Sequence, residues 1–187
     1  KLAEDDDEND YFFIIDEINR GNLSKIFGEL FMLIEKDKRG IELQLLYSDE
    51  NFSVPANVYI IGMMNTADRS LAMLDYALRR RFSFFTMKPG FNAPGFQAYQ
   101  DSLKSDDFNK LIACVKQLNS KIAEDISLGE GFCIGHSYFC SLTPETVNTQ
   151  TLSSIVEYEL IPLLKEYWFD EPANVIDWGD RLRSAVK

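Results

Sequence analysis

The chain has 187 residues, 45% of them hydrophobic and 13% aromatic, which is enough to build a core and excludes a disordered polypeptide. Its net charge of −11 is evenly spread, with 11 basic and 16 acidic side chains in residues 1–90 and 8 and 14 in residues 91–187, so no basic face offers itself to nucleic-acid phosphates. No 18-residue apolar run, no CxxC pair among Cys114, Cys133 and Cys140, and a single histidine, His136, exclude a membrane span, a disulfide framework and a histidine-based zinc site. A cytoplasmic protein with free thiols and no membrane partner is expected.

Residues 1–10 carry Glu4, Asp5, Asp6, Asp7, Glu8 and Asp10 and read as a solvated acidic loop. Tyr11 to Ile15 is a continuous apolar run, the pattern of a parallel strand buried on both faces. From Asn22 onward, Leu23, Ile26, Phe27, Leu30, Phe31 and Ile34 recur at helical spacing, with Asn22 or Ser24 as cap and an end near Gly40. Ile41 to Leu46 and Phe52 to Val54 read as a short hairpin. Val58 to Met63 is a second buried strand, followed by a short helix around Leu71, Leu74 and Leu78. Phe82 to Met87 reads as a third strand. The order strand, helix, hairpin, strand, helix, strand indicates an α/β sheet.

Lys88, Pro89 and Gly90, with Pro94 and Gly95, mark a linker, which divides the chain into an α/β part, 1–90, and a helical part, 91–187. In the second part Phe108, Leu111, Ile112, Val115, Leu118 and Ile122 form one helical stripe. Leu152, Ile155 and Val156 begin another that reaches Trp168, with Pro162 expected to kink it or to start a new helix.

The first strand ends in Asp16 and Glu17, and the second in Asn65. Ligands of open α/β sheets bind outside the carboxyl ends of the strands. Phosphoryl transfer there needs Mg²⁺ near the phosphates and a water set for in-line attack. Asp16 suits the metal and Glu17 the polarisation of water, while the Asn65 amide can fix that water or sense the terminal phosphate. Asn65, Thr66 and Asp68 are also candidate nucleotide contacts. Arg79, Arg80 and Arg81 are consecutive, so on a helix they diverge by about 100° each and cannot all serve one pocket. His136 reads as a packed residue of the helical part, and Arg20 follows the carboxylates closely enough to bias their charge or to touch a neighbour.

These residues resemble the AAA+ superfamily, in which an apolar strand ending in Asp-Glu is the Walker B motif and the strand-end Asn is sensor 1. The segments Asp16 to Asn22, Met64 to Ser70 and Leu74 to Phe82 are similar to the McrB-like GTPases in particular. Ile134 to Phe139 and Ile161 to Leu164 are similar to their helical lid. The resemblance implies the C-terminal part of an AAA+ core followed by a lid. Asp16 is then the Mg²⁺ ligand, Glu17 and Asn65 are catalytic, and Arg80 is an arginine finger donated to a neighbouring subunit. Asp75 assists at that interface and Arg81 is held in reserve. It further implies GTP as substrate, a hexameric ring of like subunits, an McrC-like nuclease partner and DNA engaged through regions outside this chain. A MoxR- or dynein-related ATP-driven remodeller and a degenerate interaction module are the alternatives. The sequence departs from the family in one respect: no G-x-x-x-x-G-K-[ST] is present, so the phosphate cradle is expected upstream and the piece alone is expected to be inactive.

Overall fold

The computed structural model describes residues 1–46, 48–65, 67 and 79–187. They fall into two compact units, residues 1–85 and 86–187. The helix expected around Leu71, Leu74 and Leu78 lies outside the described residues.

In the first unit β1 (Tyr11–Ile15) and β4 (Val58–Gly62) pair in parallel, Tyr11 opposite Val58 and Ile15 opposite Gly62. Between them, α1 (Leu23–Phe27) starts where the Asn22 side chain accepts the Lys25 N–H at 3.0 Å, so Asn22 is the cap. The expected long helix ends at once. Gly28 adopts φ +48°, a left-handed conformation incompatible with continued α-helix, and the chain tightens into a 3₁₀ stretch, Gly28–Ile34. The hairpin forms as β2 (Leu43–Gln44) and β3 (Asn51–Phe52), antiparallel and only two residues long on each side.

Two expectations fail here. The first strand is not covered on both faces: Phe12 and Ile14 are 62% and 59% exposed. Among the described residues the sheet has only β1 and β4, with the 28–34 stretch packed on one side, so no layer covers the other. Nor do residues 82–87 form a strand. Phe82 packs on the small core, whereas Phe85 and Met87 are exposed and pair with no neighbouring strand. A parallel strand gains its stability from a ladder partner and a covering layer, and alternation alone supplies neither. The core that does form centres on Ile18 and Phe31, with Ile15, Phe27, Ile34, Met64 and Phe82 against them. Gly62 makes room for it, since a Cβ there would lie 2.6 Å from Ile18 Cδ1.

The second unit is helical. It runs through α2 (Pro94–Leu103), α3 (Asp106–Glu124), α4 (Thr149–Ile155), a π-turn (Val156–Leu160), α5 (Ile161–Tyr167) and α6 (Pro172–Ala185). Ser105 caps α3 by accepting the Phe108 N–H at 3.2 Å, with Asp106 and Asp107 in the first turn complementing the dipole. The stripe from Phe108 to Ile122 is wholly buried, as its periodicity predicts. Pro162 does start a new helix. Lacking an N–H, it sits in the first turn of α5, directly after the π-turn. Trp168 closes the core by donating from Nε1 to Asp125 Oδ2 at 2.9 Å, which holds the Asp125 carboxyl below its ordinary range. His136 is a packed residue: its Nδ1 accepts the Gly90 N–H at 2.9 Å, and its ring meets Phe91 and Phe96 edge-on. The thiols are free.

Candidate functional site

The β1–β4 ladder continues past the strands. Met63 N–H donates to Ile15 O at 2.8 Å, and Ile18 N–H donates to Met63 O at 2.9 Å. The two strand ends therefore stay side by side, and the Asp16–Glu17 pair emerges at the same edge as Asn65. This is the juxtaposition that the apolar runs and their polar ends foreshadow.

The chain turns sharply at the carboxylates. Glu17 has φ 51° and ψ 43°, the left-handed region that a residue with a Cβ rarely enters, and local strain of this kind collects at functional positions. Asp16 supports the turn by accepting the Glu17 N–H on Oδ1 at 2.9 Å. Its own side chain stays exposed and, among the described residues, its second oxygen is uncommitted. Glu17 Oε2 lies 3.3 Å from Arg20 Nε, an ionic contact, yet the atom is buried and makes no hydrogen bond. The approach is close enough for charge attraction but too poorly directed for a donated N–H. Glu17 is thus held near a cation with acceptor capacity in reserve, and Arg20 acts on its own subunit's carboxylate.

Asn65 is exposed and its Oδ1 accepts the Ala67 N–H at 3.0 Å, an Asx-turn that leaves the amide nitrogen for another acceptor. Thr66, Asp68 and Asp75 lie outside the described residues. The three arginines diverge, as consecutive positions must. Arg79 is exposed with its guanidinium 5.7 Å from the Phe84 ring centroid. Arg80 is exposed, and no described residue bonds to it. Arg81 is turned inward, its Nε donating to Glu35 Oε1 at 2.6 Å.

Two residues escape the sequence reading. Asn19 is buried beneath the strand ends, its Nδ2 donating a long 3.5 Å bond to the Asn65 carbonyl while its Oδ1 has no partner. Its place two positions after Glu17 is the only signal in the sequence. Glu35 gives no local signal at all, because its partner lies 46 positions away.

No three His, Cys, Asp or Glu side chains converge among the described residues. That pattern suits magnesium, which takes one or two carboxylates and completes its shell with water and phosphate oxygens. The free oxygen of Asp16 fits such a ligand, and the neighbouring Glu17 suits a water bound beside it.

Residues 5–82 match the AAA domain of the dynein-related subfamily, and residues 110–176 match the McrB alpha-helical lid domain. The chain is 50% identical over 190 residues to the type IV methyl-directed restriction enzyme EcoKMcrB subunit of Escherichia coli K12, covering 96% of the chain and 41% of that protein. It is 29% identical over 143 residues to the type II restriction enzyme BsuMI component YdiS of Bacillus subtilis 168, covering 65% of the chain and 42% of that protein. The chain spans about two fifths of the length of these curated relatives.

Proposed function

Since the chain belongs to the AAA+ superfamily and joins a dynein-related AAA domain to an McrB-type lid, we propose that it is the Walker B and sensor half, with lid, of a nucleotide-hydrolysing motor in a methyl-directed restriction system. The observation that carries this reading is the parallel β1–β4 pair, whose ladder runs on to Met63 and Ile18 and sets Asp16 and Glu17 beside Asn65. The substrate is GTP. Like subunits act as a hexameric ring with an McrC-like nuclease, and DNA is engaged outside this chain. The dynein-related match alone would suit an ATP-driven remodeller equally, and the McrB-type lid favours the restriction reading.

In this mechanism Asp16 would hold Mg²⁺ through its free oxygen. Bound there, the ion neutralises charge on the terminal phosphates. Glu17 takes the proton of the attacking water, and its unpartnered Oε2 is the acceptor for it. Arg20, 3.3 Å away, keeps that carboxylate ionised and oriented between turnovers. The Asn65 amide nitrogen donates to the same water or to the terminal phosphate. Thr66 and Asp68 contact the nucleotide. Arg80 reaches the site of the adjacent subunit, with Asp75 at the same interface; its exposure and lack of a bonded partner among the described residues support that role over Arg79 and Arg81.

The test is Glu17→Gln in the full-length protein. GTP binding and ring formation should persist, while turnover falls on the order of 10²-fold or more, the usual cost of losing a general base. Unchanged turnover would return Asp16 and Glu17 to an ordinary polar strand end.

A further inference from the structure

Arg80 and Arg81 are adjacent in sequence and opposite in surroundings. Arg81 is 12% exposed; its Nε donates to Glu35 Oε1 at 2.6 Å, and its guanidinium carbon lies 5.5 Å from the Phe31 ring centroid. Both anchors belong to one short segment. Phe31 lies inside the 3₁₀ stretch Gly28–Ile34, and Glu35 closes it, donating its own N–H to Met32 O. An ion pair at one point and a ring face at another fix the plane of a guanidinium as well as its place, which a point charge such as Lys could not do. Phe31 in turn is buried against Ile18, the residue that follows Glu17. A packed path therefore runs from the Asp16–Glu17 strand end through Ile18 and Phe31 to Arg81, and Arg80 is one peptide further.

We propose that Arg81, clamped by Glu35 and Phe31, is a positioning residue that sets where Arg80 is presented to the adjacent subunit and ties that presentation to the subunit's own hydrolytic strand end. The proposal rests on the reading of Arg80 as a finger acting in trans. Consecutive Cα atoms are about 3.8 Å apart, so displacement of the Arg81 anchor carries Arg80 with it. Misplacement of a reacting group by about 1 Å can cost on the order of 10²-fold in rate.

The experiment uses the full-length protein with GTP and compares Glu35→Gln and Arg81→Lys with Arg80→Ala. The first two should lower kcat by roughly 10- to 100-fold with KM for GTP, nucleotide binding and ring size unchanged. Three results then separate positioning from mere bracing. Mixing Glu35→Gln with Glu17→Gln should restore part of the activity, because the second variant lends a correctly held Arg80 to a site with an intact Glu17. The double variant Glu35→Gln/Arg80→Ala should be no slower than Arg80→Ala alone, since the clamp acts only through Arg80. Arg81→Lys should behave like Glu35→Gln despite keeping its charge. Wild-type kcat in both clamp variants overturns the proposal. So does a loss that mixing does not recover, a double variant slower than Arg80→Ala, or failure of both clamp variants to form rings, which would make the pair purely structural. Wild-type turnover in Arg80→Ala would overturn the finger reading itself, and the proposal with it.

Discussion

The two units handle apolar surface in opposite ways. In the helical unit, side chains such as Phe108, Val115, Leu118 and Trp168 converge on one core, and α3 turns a complete buried stripe into it. In the α/β unit the core reduces to Ile18 and Phe31 with five partly buried neighbours, while the strand residues Phe12, Phe13 and Ile14 face outward. The helical unit is self-sufficient in the hydrophobic sense. The α/β unit spends its order instead on one edge, where polar strand ends are held in register by backbone bonds. A fold can thus carry its chemistry on its least buried part, provided that a short ladder and a few packed residues fix the geometry.

The contrast can be broken most forcefully by truncating each core in turn. Phe108→Ala removes a fully buried ring and should cost about 3–5 kcal/mol, read as a large fall in the calorimetric transition of the helical unit. Gly62→Ala forces a methyl toward Ile18 and should destabilise the α/β unit by about 1–3 kcal/mol, measured by denaturant titration. A negligible effect would mean that the small core yields easily and cannot hold the strand ends. Trp168→Phe keeps the ring stacking but loses the donor to Asp125, and should cost about 1 kcal/mol in the same titration. Phe12→Ser should shift stability by no more than about 0.5 kcal/mol, because the ring is already in solvent. A cost like that of Phe108→Ala would show the sheet face to be covered in solution.

Acid sharpens the same comparison from another side. The Trp168 N–H keeps Asp125 below its ordinary value, and the Arg183 ion pair does the same for Glu157. A lowered folded value means that their contribution is full above the unfolded carboxylate range and disappears as pH falls through the folded value. Burial drives Tyr167 the other way, up to about 12, so its contribution is full below pH 10 and is lost on the way to that value. The helical unit should therefore lose stability at both extremes, with Trp168 fluorescence as the readout. A flat acid limb would mean that neither carboxylate is held in solution as it is here.

What could be read in advance follows from the range of each interaction. The α3 stripe was legible because helical periodicity is local, and the strand-end site because polar residues at the ends of apolar runs are local too. Burial of Tyr11 to Ile15 was not, since it depends on how many layers pack over the sheet and no window of sequence states that. Residues 82–87 read as a strand by composition but lack a ladder partner. The inward turn of Arg81 depends on Glu35, a residue far away in sequence, whereas the divergence of Arg79, Arg80 and Arg81 followed from helical geometry alone.

The π-turn before Pro162 makes the helical unit sensitive to length as well as to composition. A π-turn holds one residue more than the α-helical turn it replaces. Deleting any one residue of Val156–Leu160 would restore ordinary hydrogen bonding and rotate everything beyond it by about 100°. Ile161, Leu164 and Trp168 would swing out of the core together, although every one of them would still be present. The segment works as a phase setting between two halves of a helix, where losing a residue is worse than changing one.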